Sequence, residues 1–237
     1  MGKLISTIRQ YSRTFWVANS IELFERWAWY GFYMLFANYL TGSLEDGGLE
    51  FSQNQKSLIM GVGTGILYFL PVITGAIADY YGYKKVLILS FVIYISGFIL
   101  FPHFSTYQAV FAMFIYLAIG GALFKPIISA TVAKTTNNKT ASIGFGIFYM
   151  MVNIGSFLGP LSTLVAKKQS SDLIFYVAAA LIACNFILIL FYKEPDRLVK
   201  SGNLKDALST VFKQIATVFN DRKFVLFLCI IAIFWAM

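Results

Sequence analysis

Six apolar runs, each close to the ~20 residues an α-helix needs to cross the hydrocarbon of a bilayer, recur along this chain. They fall at roughly Thr14 to Leu40, Gln55 to Asp79, Lys85 to Phe101, Thr106 to Ala133, Ala141 to Val165 and Leu173 to Tyr192. No other feature constrains the fold as strongly: the sequence predicts an all-α membrane protein with a six-helix bundle over residues 1–192. Composition agrees, with 58% hydrophobic residues, 13% charged residues and a mean hydropathy of +0.70. A seventh run begins at Phe224 and stops 14 residues later at Met237, too short to cross. The expectation is therefore a first half of something larger: a bundle, a connection over 193–223 and the start of helix seven over 224–237.

The net charge of +8 raises the question of a nucleic-acid partner, and its placement argues against one. With the N-terminus in the cytoplasm, 14 of the 19 Lys and Arg residues fall on the inner side, three fall outside, and two, Arg26 and Lys125, lie within spans. That is the positive-inside bias of a multi-pass cell-membrane protein, and no basic patch is left over. Cys184 and Cys229 both sit in apolar runs and His103 stands alone, so neither a disulfide framework nor a metal or hydrolytic site is expected. The charges in the first span, which follows a polar start, exclude a cleaved signal peptide. In the long connection, Leu204, Leu208, Val211, Phe212, Ile215, Val218 and Phe219 recur at helical spacing. They predict an amphipathic helix, either lying on the inner membrane surface as a tether or packing in the ordinary way.

Within the first span, IELFERWAWYG at 21 to 31 places Glu22, Glu25 and Arg26 inside an aromatic helix. At ~1.5 Å per residue Glu22 lies ~12 Å and Arg26 ~18 Å from the inner end, and Lys125, on the oppositely directed fourth span, lies ~12 Å from it. Positions 22, 25 and 26 share an arc of ~100°, so one face carries all three charges. Four such charges in mid-membrane cost on the order of 10 kcal/mol, comparable with the whole stability of a domain. Two readings are open: a structural ion cluster locking the first helix to the fourth, or a relay whose pairings exchange when a proton or an anionic ligand arrives. Tyr68, Tyr149 and Asn153 fall in the same layer and suggest a polar midplane cavity. GVGTG at 61 to 65 has no strand before it, so Gly61 and Gly65 read as a small-residue helix contact rather than a nucleotide loop, and Gly155 and Gly159 repeat the spacing.

ELFERWAWYG (22 to 31) resembles the ExxERFxYYG signature of the proton-dependent oligopeptide transporters, a branch of the major facilitator superfamily. FYMMVNIGS (148 to 156) is similar to that family's fifth-helix motif, GGALFKP (120 to 126) to its fourth-helix stretch, and GAIADYYGYKK (75 to 85) to the superfamily loop between helices two and three. The resemblance implies the N-terminal half of a proton-coupled symporter, not an enzyme, that imports small peptides by alternating access. It implies a C-terminal half as partner and no cofactor beyond the coupling protons. It further implies that Glu22 pairs with Lys125, that Glu25 takes part in proton coupling and that Arg26 and Lys125 face the peptide carboxylate. Tyr30, Tyr68 and Asn153 would line the pocket, Tyr149 sharing their layer, while Gly75, Asp79, Gly82, Lys84 and Lys85 would form the conformational loop. Trp27, Trp29, Tyr33 and Ile127 depart from the family pattern, which weakens the case for a dipeptide more than the case for proton coupling. Carriage of another small carboxylate-bearing solute is the alternative. A channel and an intramembrane enzyme are the rival classes: the first would need a continuous polar stripe, the second a nucleophile, a metal or a carboxylate pair beside a substrate groove, and the carboxylate pair here is matched by cations.

Overall fold

Helix caps and prolines set the boundaries in the computed structural model, which describes residues 8–167, 170–195 and 204–236. The first helix, α1 (Arg13–Thr41), begins where the Ser12 hydroxyl accepts the Phe15 N–H, satisfying one of the donors a helix start leaves free. It is followed by α2 (Gln53–Phe69), opened by a reciprocal Ser52 and Gln55 capping box, and α3 (Pro71–Tyr81). Next come α4 (Tyr83–Leu100) with a 3-10 turn at Phe101–His103, α5 (Tyr107–Lys134), α6 (Ala141–Lys167) and α7 (Leu173–Leu190). Past residues outside the description lie α8 (Leu204–Phe219) and α9 (Arg222–Ala236), where the amphipathic run and the short seventh run were expected. No strand occurs among the described residues.

The run from Gln55 to Asp79, expected as one straight span, is broken at Leu70, and its two segments are bent by 44°. Pro71 explains the break: it has no N–H to offer the Leu67 carbonyl, and its ring crowds the preceding turn. Four helices (α4 with its 3-10 turn, α5, α6 and α7) are long and apolar enough to cross a membrane, and the bent pair makes a fifth. The sixth expected span, α1, falls outside that class although it has 29 residues, because Glu22, Glu25 and Arg26, together with its Trp, Tyr and Asn residues, lower its hydropathy. It lies instead within the bundle, packed chiefly on α6 and α7.

Around it, α4 packs on α5 and α7, and α2 and α3 pack on α5, while α8 rests on α3. Phe32 and Phe36 of α1 meet Phe98, Phe101, Phe114 and Phe175 from three other elements in an aromatic core with ring centroids 4.7–6.2 Å apart. Opposite ends of the bundle differ in charge. One end brings together Arg13, Gly82, Lys134, Thr140 and Glu194, and the other the 42–52 segment, His103 and Ser171.

Glycine sets the closest helix contact. A Cβ on Gly159 would lie 2.6 Å from the Gly31 nitrogen and 2.7 Å from the Trp27 carbonyl oxygen, and one on Gly155 would lie 2.8 Å from the Leu23 carbonyl oxygen. The α1 and α6 backbones therefore touch with no room for a side chain. Gly61 and Gly65 behave otherwise: nothing lies within 4 Å of a Cβ at either, so the helix contact expected from their spacing is not made among the described residues.

Candidate functional site

Three ionisable side chains within one helical turn cannot reach water from the middle of α1, so their partners must come from the protein. Arg26 Nε lies 2.5 Å from Glu25 Oε2 and 3.2 Å from Glu22 Oε1, and all three residues are buried. Glu25 is wholly enclosed. Its second oxygen accepts a hydrogen bond from the Tyr94 hydroxyl of α4 at 2.7 Å. Both carboxylate oxygens are thus held, one by a cation on the same helix and one by a neutral donor from another.

Tyr94 reaches Glu25 by passing over α5. A Cβ on Gly121 would lie 2.6 Å from the Tyr94 hydroxyl oxygen, so glycine leaves the gap through which the phenol passes. Trp29, on the next turn of α1, lies edge-on to the Tyr94 ring at 6.2 Å.

The expected pairing of Glu22 with Lys125 is replaced. Glu22 pairs with Arg26 one turn along its own helix, a spacing the helix itself provides, so no closure between helices is needed. Lys125 Nζ stands 4.2 Å over the Tyr68 ring, and the Arg26 guanidinium 5.9 Å from the Tyr30 ring centre. Lys125 nevertheless stays within the electrostatic reach of Arg26, Glu25 and Glu22. The site therefore has two parts, a sealed acid and arginine cluster and a lysine resting on an aromatic ring at its edge.

Tyr68 is 66% and Tyr149 62% exposed. Tyr149 and Asn153 line one open recess of α6 of about 470 Å³ with Gly146, Met150, Ile154 and Phe157. Tyr30 is half-buried. The predicted polar layer is thus split between the enclosed charges and an open wall on α2 and α6.

All four departures from the family pattern have structural employment. The Trp27 indole donates to Ser162 Oγ at 2.9 Å, tying α1 to α6, and Trp29 is buried and stacked on Tyr33 and Phe114. Tyr33 shares a hydrogen bond of 3.3 Å with Thr64 of α2, and Ile127 is core.

At the basic end, α3 and α4 are joined by Gly82 alone, with φ 107°, a backbone region that side chains disfavour. The Tyr83 hydroxyl donates to Asp79 Oδ1 at 2.8 Å and accepts from Lys134 Nζ at 2.8 Å, while the Tyr83 N–H is capped by Glu194 Oε1 at 2.7 Å. Lys134 Nζ is 3.8 Å from Asp79 Oδ1. Asp79 thus pairs with a cation on α5; Lys84 is half-buried, Lys85 is exposed, and Gly75 faces Pro126. Tyr83, Lys134 and Glu194 were missed because their meeting depends on three separate helix ends. Tyr94 was missed among 14 tyrosines, although a depth count would have found it: eleven residues into α4 is ~16 Å, the level of Glu25.

The sequence profile of the Major Facilitator Superfamily matches residues 20–237. Dipeptide and tripeptide permease B of Salmonella typhimurium is 26% identical over 226 residues, covering 93% of this chain and 45% of that protein. Peptide transporter YePEPT of Yersinia enterocolitica is 29% identical over 145 residues, 59% of this chain and 28% of that protein. Among solved structures, a POT family transporter in complex with 5-aminolevulinic acid superposes with a TM-score of 0.73 at 21% identity, covering 97% of this chain and 50% of that one. A peptide transporter POT in complex with sulfate superposes with a TM-score of 0.69, also at 21% identity, covering 94% of this chain and 46% of that one. The chain spans less than half the length of these curated relatives.

Proposed function

The chain belongs to the Major Facilitator Superfamily, and from that premise we propose that it forms a six-helix bundle of a proton-coupled importer of small peptides in the cell membrane. The basic end faces the cytoplasm, and the partner is a second bundle of the same transporter. One observation carries the reading: Glu25, sealed at mid-depth, has both oxygens engaged, one by Arg26 and one by Tyr94. A carboxylate so held is neutralised by its arginine. Adding a proton to Glu25 removes one of the two carboxylates that Arg26 holds, Glu22 remaining, and makes part of the guanidinium available to a substrate carboxylate. Lys125, resting on an aromatic ring beside the open wall of Tyr68, Tyr149 and Asn153, supplies a second cation for the same anion. The names of the curated relatives support a peptide as the cargo.

Energy is sufficient without a nucleotide. One proton moving down 100 mV supplies ~2.3 kcal/mol, enough for roughly fifty-fold accumulation of a neutral solute. Access alternates by rocking of the two bundles about the site, the general scheme of such repeats.

A second reading, transport of another small solute bearing a carboxylate, is favoured by the employment of Trp27, Trp29 and Ile127 in packing rather than in a pocket. The similar transporter bound to 5-aminolevulinic acid points the same way.

The test uses the complete protein in liposomes with an imposed pH gradient and membrane potential. Glu25→Gln should abolish uphill uptake of dialanine, since an amide cannot alternate between charged and neutral forms, while counterflow exchange without a gradient persists. A Glu25→Gln protein that concentrates dialanine as well as the parent would establish the structural lock instead. Counterflow by the parent of aminolevulinate but not dialanine would select the second reading.

A further inference from the structure

Pro126 lies inside α5 and follows Lys125 directly. Having no N–H, it leaves the carbonyl of Ala122, four residues earlier, without its helical donor. In hydrocarbon such an orphan is costly unless a neighbour supplies the missing bond. Thr74 of α3 supplies it: the Thr74 hydroxyl donates to the Ala122 carbonyl at 2.5 Å, in a buried position. Gly75, the next residue, faces Pro126: a Cβ there would lie 3.6 Å from Pro126 Cβ, an ordinary contact, so α3 and α5 are packed together at the proline.

The stretch GGALFKP is anchored at two more carbonyls. Ser90 of α4 donates to the Gly120 carbonyl at 2.8 Å, and Ser129 donates to the carbonyl of Lys125 itself at 3.2 Å. Of these, the Thr74 bond alone joins α5 to the short helix beyond the 44° bend.

We propose that Thr74 is a positioning residue for Lys125: its hydroxyl holds the carbonyl that Pro126 orphans, and so couples the angle of α3 to the placement of the lysine in the site. The proposal rests on the reading of Lys125 as a cation for the substrate carboxylate. Thr74 touches neither proton nor substrate. Its effect is on where α5 presents Lys125, so binding should suffer more than turnover.

Pro126 makes the proposal separable from general packing. Thr74→Val keeps the shape and removes the hydroxyl, and in the complete protein it should raise the KM for dialanine counterflow about ten-fold with a smaller change in maximal rate, the scale of one hydrogen bond left unmade. Thr74→Ser keeps the hydroxyl and should stay within about two-fold of the parent. Pro126→Ala restores an N–H at position 126, returning the Ala122 carbonyl to its own helix. In that background Thr74→Val should change KM by less than about two-fold. Equal effects of Thr74→Val in both backgrounds, or no effect in the parent, would overturn the coupling.

A parent that takes up no dialanine would instead overturn the proposed function, and the inference would then be read without transport. Lys125→Cys, in the complete protein with every native cysteine, Cys184 and Cys229 included, replaced by Ser, is labelled with a water-soluble maleimide. Thr74→Val should shift the initial labelling rate several-fold and Thr74→Ser should not. Identical rates in all three proteins would sink the inference.

Discussion

α1 and α7 lie side by side and treat polarity in opposite ways. α7 is the more apolar, with a mean hydropathy of 2.7 over its span, and it buries one amide, Asn185, whose nitrogen and oxygen have no partner among the described residues. In α1, which hydropathy alone would disqualify as a span, each of the buried ionisable side chains has a partner, and the buried amide Asn19 donates to the Phe15 carbonyl at 2.8 Å while its own oxygen has no partner among the described residues. The contrast separates two properties that a hydropathy scale merges. Apolarity measures the surface a helix can show to lipid, whereas the cost of a polar group depends on whether its hydrogen bonds are made. α1 can be polar because α4, α5, α6 and α7 wall it off, and because its charges satisfy one another.

Arg26→Ala should break the contrast most. It removes the cation from two buried carboxylates, and loss of one partner from a buried ion pair costs about 3–5 kcal/mol. Thermal unfolding in detergent should show a large fall in midpoint, and Glu22→Gln added to Arg26→Ala should recover part of it. A midpoint unchanged by Arg26→Ala would mean that water already reaches the cluster.

Tyr94→Phe is the next step down. It deletes one hydrogen bond to a charged acceptor while leaving the ring against Phe98, an effect of about 1.5–3 kcal/mol. The midpoint should fall by less than for Arg26→Ala, and proton-driven uptake should fall with it, because Glu25 loses the donor that holds its second oxygen. Uptake unaltered at every pH would remove Tyr94 from the site.

Smallest, and opposite in sign, is Asn185→Leu. Replacing an unpaired buried amide by an apolar side chain of similar size should leave the midpoint unchanged or raise it slightly. A loss as large as that of Tyr94→Phe would show that Asn185 has a partner, and α7 would then resemble α1.

Much of this architecture could be read from spacing. Run lengths located the helices, and counting residues from helix ends put Glu22, Glu25 and Arg26 at mid-depth, because rise per residue is nearly constant. Pairing could not be read the same way. Depth says that Glu22 and Lys125 share a level, but rotation about each axis and the competing i to i+4 partner decide contact, and Arg26 wins. The break at Pro71 and the continuation through Pro126 show the same limit: one residue type ends a helix in one place and is carried in another, where Thr74 meets the orphaned carbonyl. Likewise the spacing of Gly61 and Gly65 matches that of Gly155 and Gly159, yet the backbone of a neighbour abuts only the second pair.

The junctions at Leu70 and Gly82 have a kinematic consequence. Between them α3 is a rod of 11 residues, ~16 Å long, with an elbow at each end and almost no free chain at either. A linkage of that kind cannot stretch; it can only change its angles. Swinging α2 therefore obliges α3 to turn, and α3 passes the turn to α4 through a single glycine and to α5 through the packed face that carries the Thr74 hydroxyl, so the four helices move with fewer degrees of freedom than their number suggests.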